Sequence, residues 1–140
     1  MPRDENVRRI RSAVVRLSRR LRAERPADAL APTKISVLAQ LWRNGEMCAG
    51  DLADLERIQP QSLTRTLAAL AADGLIARRP DPLDRRQAVI GITEQGLASL
   101  SEDMQARELW LAKAMDIRLS PAERQLLADA AELMDRLADD

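Results

Sequence analysis

Gln61, Ser62, Thr64 and Arg65 stand close together just after Pro60. An arginine carries the paired donors that match the two acceptors on the major-groove edge of guanine, and a glutamine the donor and acceptor that match adenine. Ser and Thr hydroxyls suit bases or phosphates. A second cluster, Asp84-Arg85-Arg86, follows Pro80 and Pro82. Guanidinium groups held out on a stiff loop suit a narrow minor groove and its enhanced negative potential. Asp84 or Asp81 is placed to hold one of them by a bidentate pair. What these residues offer is polar recognition of a duplex. Each cluster also has a plainer reading, as the solvated side of a surface helix or a solvated surface turn.

Bond-making chemistry finds little support. The chain has 140 residues, no histidine and one cysteine, Cys48. A serine or cysteine nucleophile would lack its histidine base, and a zinc site its ligands. No acidic pair stands in a recognisable catalytic setting, so neither a catalytic residue, a metal nor a cofactor is expected. One cysteine makes no internal disulfide. Phe and Tyr are absent and the two aromatics are Trp42 and Trp110, too few for stacking single-stranded bases. No apolar run is long enough for a membrane span, and the charged start, Met1-Pro2-Arg3-Asp4-Glu5-Asn6, lacks the apolar stretch of a signal peptide. A cytoplasmic location is the resulting expectation.

The two clusters need elements to hold them. Pro60 opens a helix with Leu63, Leu67 and Leu70 inward, which turns Gln61, Ser62 and Arg65 outward with Thr64 at the boundary, and Asp73-Gly74 stops it. Before it, Met47 to Leu55 reads as a short helix with Leu52 and Leu55 inward, joined through Arg57-Ile58-Gln59. Two short helices around a tight turn form a helix-turn-helix pattern. After Gly74 the period changes. Residues 75–79 and 87–92 are strand candidates, the second with Ala88, Ile90 and Ile92 on one face, and the Pro/Asp-rich segment between them is a loop. Strand, charged loop and returning strand make a β-hairpin wing.

Longer helices flank this part. Val7, Ile10, Val14, Leu17 and Leu21 form one narrow stripe with arginines on the other faces. Pro32 opens a second helix with Ile35, Leu38, Leu41 and Trp42 inward, closed by Asn44-Gly45. Thr93 caps a long helix, and Ser120-Pro121-Ala122-Glu123 is a capping box before a last helix striped with Leu126, Ala130, Leu133 and Leu137. Both terminal helices carry more apolar surface than one small domain easily covers, so a second subunit is expected beside the alternative of a folded-back monomer.

Net charge is zero, but its distribution is uneven. Residues 1–25 hold nine arginines against three acids, residues 57–86 six arginines against three, and residues 94–140 eleven acids against five bases. Such asymmetry fits a DNA face on one side, and it equally fits solvated helix faces.

The run Thr64-Arg65, Leu70, Asp73-Gly74-Leu75-Ile76-Ala77-Arg78, Asp81-Pro82-Leu83-Asp84-Arg85-Arg86 and Ile92-Thr93-Glu94-Gln95-Gly96 resembles the MarR family of bacterial regulators. Leu30-Ala31-Pro32-Thr33 and Leu52-Ala53 agree with it. The resemblance implies a mainly α fold with a small β-hairpin wing, a winged helix-turn-helix over residues 30–96 and dimerisation helices in 1–29 and 97–140. It also implies a homodimer on a pseudo-palindromic operator, with repression relieved by a small aromatic or lipophilic effector. Gln61, Ser62, Thr64 and Arg65 would then read the major groove. Arg85 and Arg86 would reach the minor groove or backbone, with Asp84 positioning the wing. Two positions depart from the family pattern. Leu83 stands where many members carry arginine, and Cys48 where a capping Thr or Ser is usual. A thiol at a helix start is open to oxidation, but without a resolving partner in its own chain it reads first as an inert small residue. Two other functions stay open: a constitutive or architectural DNA binder, and a winged-helix module that binds protein.

Overall fold

The computed structural model describes residues 2–139, and the chain forms two compact units. One unit spans residues 26–105. It contains α2 (Pro32–Asn44), β1 (Met47–Cys48), α3 (Ala49–Glu56), α4 (Pro60–Ala72), β2 (Ile76–Pro80), β3 (Ala88–Ile92) and the first part of α5 (Glu94–Arg118). The strands form one antiparallel sheet in the order β1-β3-β2, with Met47 opposite Ile90 and Arg79 opposite Val89. The core is aliphatic. Val37, Leu38 and Leu41 of α2, Leu52 of α3, Leu63, Leu67 and Leu70 of α4, and Ile90 of β3 are fully buried. Leu38 and Leu41, and Leu63, Leu67 and Leu70, keep the 3.6-residue period read from the sequence, and Val37 joins the inner face of α2 beside them.

Three local expectations need correction. Met47 and Cys48 do not belong to a helix but pair with Ile90 and Val89 as a third strand. Two residues are too few to show strand alternation, and their state is set by β3. Leu55 is exposed and Ala53 is buried in its stead. Arg57 takes the left-handed conformation (φ 53°) as the cap of α3, and Ile58 beyond it packs against the core. Trp42 is also exposed, at 57%; it lies in the last turn of α2, where the core ends at Leu41.

The junctions explain the glycines. Gly74 closes α4 at φ +74°, a conformation that favours glycine, and Leu75 N–H donates back to Leu70 O at 2.9 Å. Thr93 then ties the end of α4 to the start of α5. Its hydroxyl donates to Gly74 O at 2.6 Å and accepts from Gly96 N–H at 3.1 Å, while its own N–H donates to Leu75 O. A Cβ on Gly96 would lie 2.2 Å from Leu75 O. The Thr-x-x-Gly spacing is thus a packing requirement of this junction.

The other unit comprises residues 1–25 and 106–140. Its described helices are α1 (Pro2–Ala23), the remainder of α5, and α6 (Pro121–Ala138). The capping box of α6 is formed in full. Ser120 Oγ accepts from Glu123 N–H at 3.2 Å and Ser120 N–H donates to Glu123 Oε1 at 2.9 Å. The stripes are not covered. Val7, Ile10, Val14 and Leu17 of α1 are exposed, as are Leu126, Leu133 and Leu137 of α6, and no described residue of α6 is buried.

Candidate nucleic-acid interface

α4 presents its polar side to solvent because its leucines are taken by the core. Gln61, Ser62, Thr64 and Arg65 are all exposed on its first turns. Thr64 Oγ donates to Pro60 O at 2.9 Å, so its proton is used within the helix and its oxygen is left to act as an acceptor. Thr66 does the same toward Ser62 O at 3.1 Å. Gln59 occupies the N-cap without a side-chain cap bond. The N–H groups of Gln61 and Ser62 therefore keep their donor capacity, and the positive end of the helix dipole lies on their turn, one turn before Arg65.

The wing is built from β2, β3 and the loop 81–87. Asp81 N–H donates to Gln87 O at 3.1 Å and Gln87 N–H to Asp84 O at 3.0 Å, which closes the loop. Asp81 Oδ1 accepts from Leu83 N–H at 2.9 Å. Asp84 Oδ1 accepts from Arg86 N–H at 3.0 Å and from its Nε at 3.3 Å. The expected bidentate grip is not what forms, since both bonds share one carboxylate oxygen. Asp84 Oδ2 accepts instead from Gln87 Nε2 at 3.5 Å. Asp84 thus orients Arg86 through backbone and side chain together, and the Arg86 side chain keeps 92% of its surface exposed. Arg85 is exposed beside it. Arg78, Arg79, Arg85 and Arg86 are among the residues lining a shallow hollow of about 340 Å³ at the wing.

One contact at the wing had no local signal. Glu46, just before β1, pairs with Arg79 on β2, the far edge of the sheet. Its side chain passes over Gly91 of the middle strand, where a Cβ would stand 3.2 Å from Glu46 Cγ. The Glu46 hydrogen bond, and then its charge, raise the pKa of Arg79 further above its ordinary value. A glycine inside a strand pattern is the trace such a close approach leaves in a sequence, but Glu46 and Arg79 are 33 residues apart. Cys48 holds the N-cap of α3 as expected, without a side-chain cap bond, and is a half-buried free thiol. It lines a cleft of about 700 Å³ with Asp51, Asp54, Arg86 and Gln87. Among the described residues no group of His, Cys, Asp and Glu is arranged to hold a metal ion.

The other unit has a hollow of its own, of about 730 Å³, between α1 and the last turns of α5. Leu17, Trp110 and Ile117 are among its apolar lining residues and Arg16, Arg20, Lys113 and Arg118 its cationic ones. The Arg20 guanidinium lies 4.6 Å from the centre of the Trp110 ring, a cation–π contact.

Comparison with known proteins agrees with this geometry. Residues 30–88 match the MarR family. A protein of Mycobacterium bovis named an HTH-type transcriptional regulator is 39% identical over 128 residues, spanning 91% of this chain and 89% of the relative. The HTH-type transcriptional repressor MdtR of Bacillus subtilis is 26% identical over 111 residues, 79% of this chain and 69% of its own. A crystal structure from Pseudomonas aeruginosa, described as that of a transcriptional regulator, superposes with a TM-score of 0.83 at 34% identity and covers 97% of this chain and 95% of that one.

Proposed function

The chain belongs to the MarR family of DNA-binding transcription regulators, and from that premise we propose that it is a repressor acting as a homodimer on a pseudo-palindromic operator. Gln61, Ser62, Thr64 and Arg65 read base edges in the major groove, and Arg85 and Arg86 meet the minor groove or the backbone, with Asp84 holding Arg86 in position. The observation that carries this reading is the exposure, in one unit, of the uncapped first turn of α4 and of a wing whose arginine is pre-oriented by a carboxylate. The chain works by binding, in the cytoplasm, and no catalytic step is assigned to it.

The homodimer rests on the uncovered stripes of α1 and α6. Isolated exposed leucines are ordinary, but rows of them along two helices mark an association surface. In this reading 1–29 and 97–140 form the dimerisation part and 30–96 the DNA-binding part. Two-fold symmetry of the protein is then matched by two half-sites of the operator. Repression draws support from the repressor among the relatives. The hollow beside Trp110, lined by both apolar and cationic side chains, is the candidate seat of a small aromatic or lipophilic effector, an aromatic carboxylate above all.

Fluorescence anisotropy at two salt concentrations, against duplex from upstream of the chain's own gene and against a scrambled duplex, tests the central claim. Tight, salt-dependent binding that prefers the upstream duplex is expected. No binding even at low salt would transfer the reading to a protein-interaction module. Aromatic carboxylates added to the complex should release DNA and change Trp fluorescence; a complex indifferent to them would leave a constitutive DNA binder.

A further inference from the structure

We propose that Leu83 is an apolar contact between the wing and the minor groove of duplex DNA, seated against the deoxyribose walls of A·T pairs. The proposal rests on the reading that the wing meets DNA. Leu83 is 96% exposed, more than any other large hydrophobic residue described. The next two, Ile117 and Leu137, lie on the long helices of the other unit, whereas Leu83 stands among Asp81, Pro82, Asp84, Arg85 and Arg86. It contributes almost nothing to the core of the free chain.

The loop nevertheless holds it firmly. Pro82 restricts the backbone before it, Leu83 N–H is bound by Asp81 Oδ1 at 2.9 Å, and the Asp84 bonds to Arg86 and Gln87 fix the segment after it. With the backbone already fixed by the closed loop, only the leucine's own rotamers are left to order on docking. The exposed guanidiniums of Arg85 and Arg86, two and three residues on, decide what it docks against. A surface that takes cations on its ridges and an alkyl group between them describes a minor groove: phosphates on both walls, sugar carbons within. The floor adds selectivity. G·C pairs present the guanine N2 amino group there and A·T pairs do not. A leucine over that amino group strips its water without returning a hydrogen bond, so A·T pairs are preferred.

The test uses the full chain and a duplex it selects from a random pool, with the pairs under the wing located by footprinting. Leu83→Ala is expected to bind about threefold to tenfold more weakly, from lost apolar burial, with the salt slope unchanged because no phosphate contact is removed. Leu83→Arg should steepen the slope by about one unit for each phosphate contact added. Changing A·T to I·C under the wing preserves the minor-groove surface and should leave wild-type affinity intact, while G·C should weaken wild type more than Leu83→Ala. The site is fully exposed, so melting temperatures should match. Wild-type affinity and wild-type A·T preference in Leu83→Ala, alongside weakened binding by Arg86→Ala, would overturn the proposal while keeping the wing on DNA. Wild-type binding by both variants would overturn the proposal together with its premise that the wing meets DNA, and would leave the duplex to α4.

Discussion

At the scale of single residues the wing depends on how one carboxylate spends its lone pairs. Asp84 Oδ1 serves both the backbone and the Nε of Arg86, so the guanidinium is oriented while its NH groups remain available to a phosphate. The ion pair is exposed and adds little to stability; its effect lies in presentation. Arg86→Ala should therefore weaken operator binding and lower the slope of log affinity against log salt by about one unit per lost phosphate contact, with an unchanged melting temperature. An unchanged slope would remove Arg86 from the interface. Gly96 carries the opposite prediction. A Cβ there meets the carbonyl of Leu75 at 2.2 Å, and that is backbone, which cannot rotate away. Gly96→Ala should cost about 1–3 kcal/mol or more in urea denaturation. A variant as stable as wild type would mean that the α4–α5 junction gives more readily than its hydrogen bonds imply.

At the scale of elements, α6 shows a helix specified at its start and left open along its side. Its capping box makes stability depend on pH in a defined direction. The hydrogen bond from Ser120 N–H, followed by the Ser120 side chain, lowers the pKa of Glu123 below the ordinary carboxylate value of 4.5. A group with a depressed folded pKa contributes in full above its unfolded pKa, and the contribution fades as pH falls through the lower, folded value. Glu123→Gln should thus be less stable than wild type at neutral pH, with the gap narrowing below about pH 4.5. Thermal melts across pH 3 to 7 check this, and a gap of constant size would rule out the carboxylate as its source. Ser120→Ala removes the reciprocal half of the box and should cost about 1 kcal/mol at neutral pH.

At the scale of the whole molecule, zero net charge conceals an arginine-rich start and an acidic end. Nine arginines lie within residues 1–25, and α6 carries Glu123, Asp129, Glu132 and Asp135 against Arg124 and Arg136. Two copies can match these opposite charges while covering the leucine stripes. On the proposed homodimer, Leu133→Glu with Leu137→Glu, both at exposed positions of α6, should give a monomer in sedimentation experiments and weaken DNA binding. A double variant that sediments like wild type would show that the α6 stripe is not the interface.

The sequence alone determined those features that are local and periodic. The leucine spacing of α4 fixed which side of that helix turns outward, and so which polar residues are offered, because burying one stripe leaves no choice for the other. Ser120 and Glu123, the cap at Thr93, and Gly74 are legible for the same reason: caps and left-handed turns are set within a few residues. Tertiary structure decided what depends on distant chain. Met47 and Cys48 became a strand because β3 offered them its edge. Leu55 and Trp42 stayed outside because the core ended before it reached them. Glu46 found Arg79 across Gly91 because the strand order brought both edges of the sheet within reach of one side chain. Periodicity reports which face of an element is apolar, but only packing decides how far along that face the core extends and which remote group crosses it.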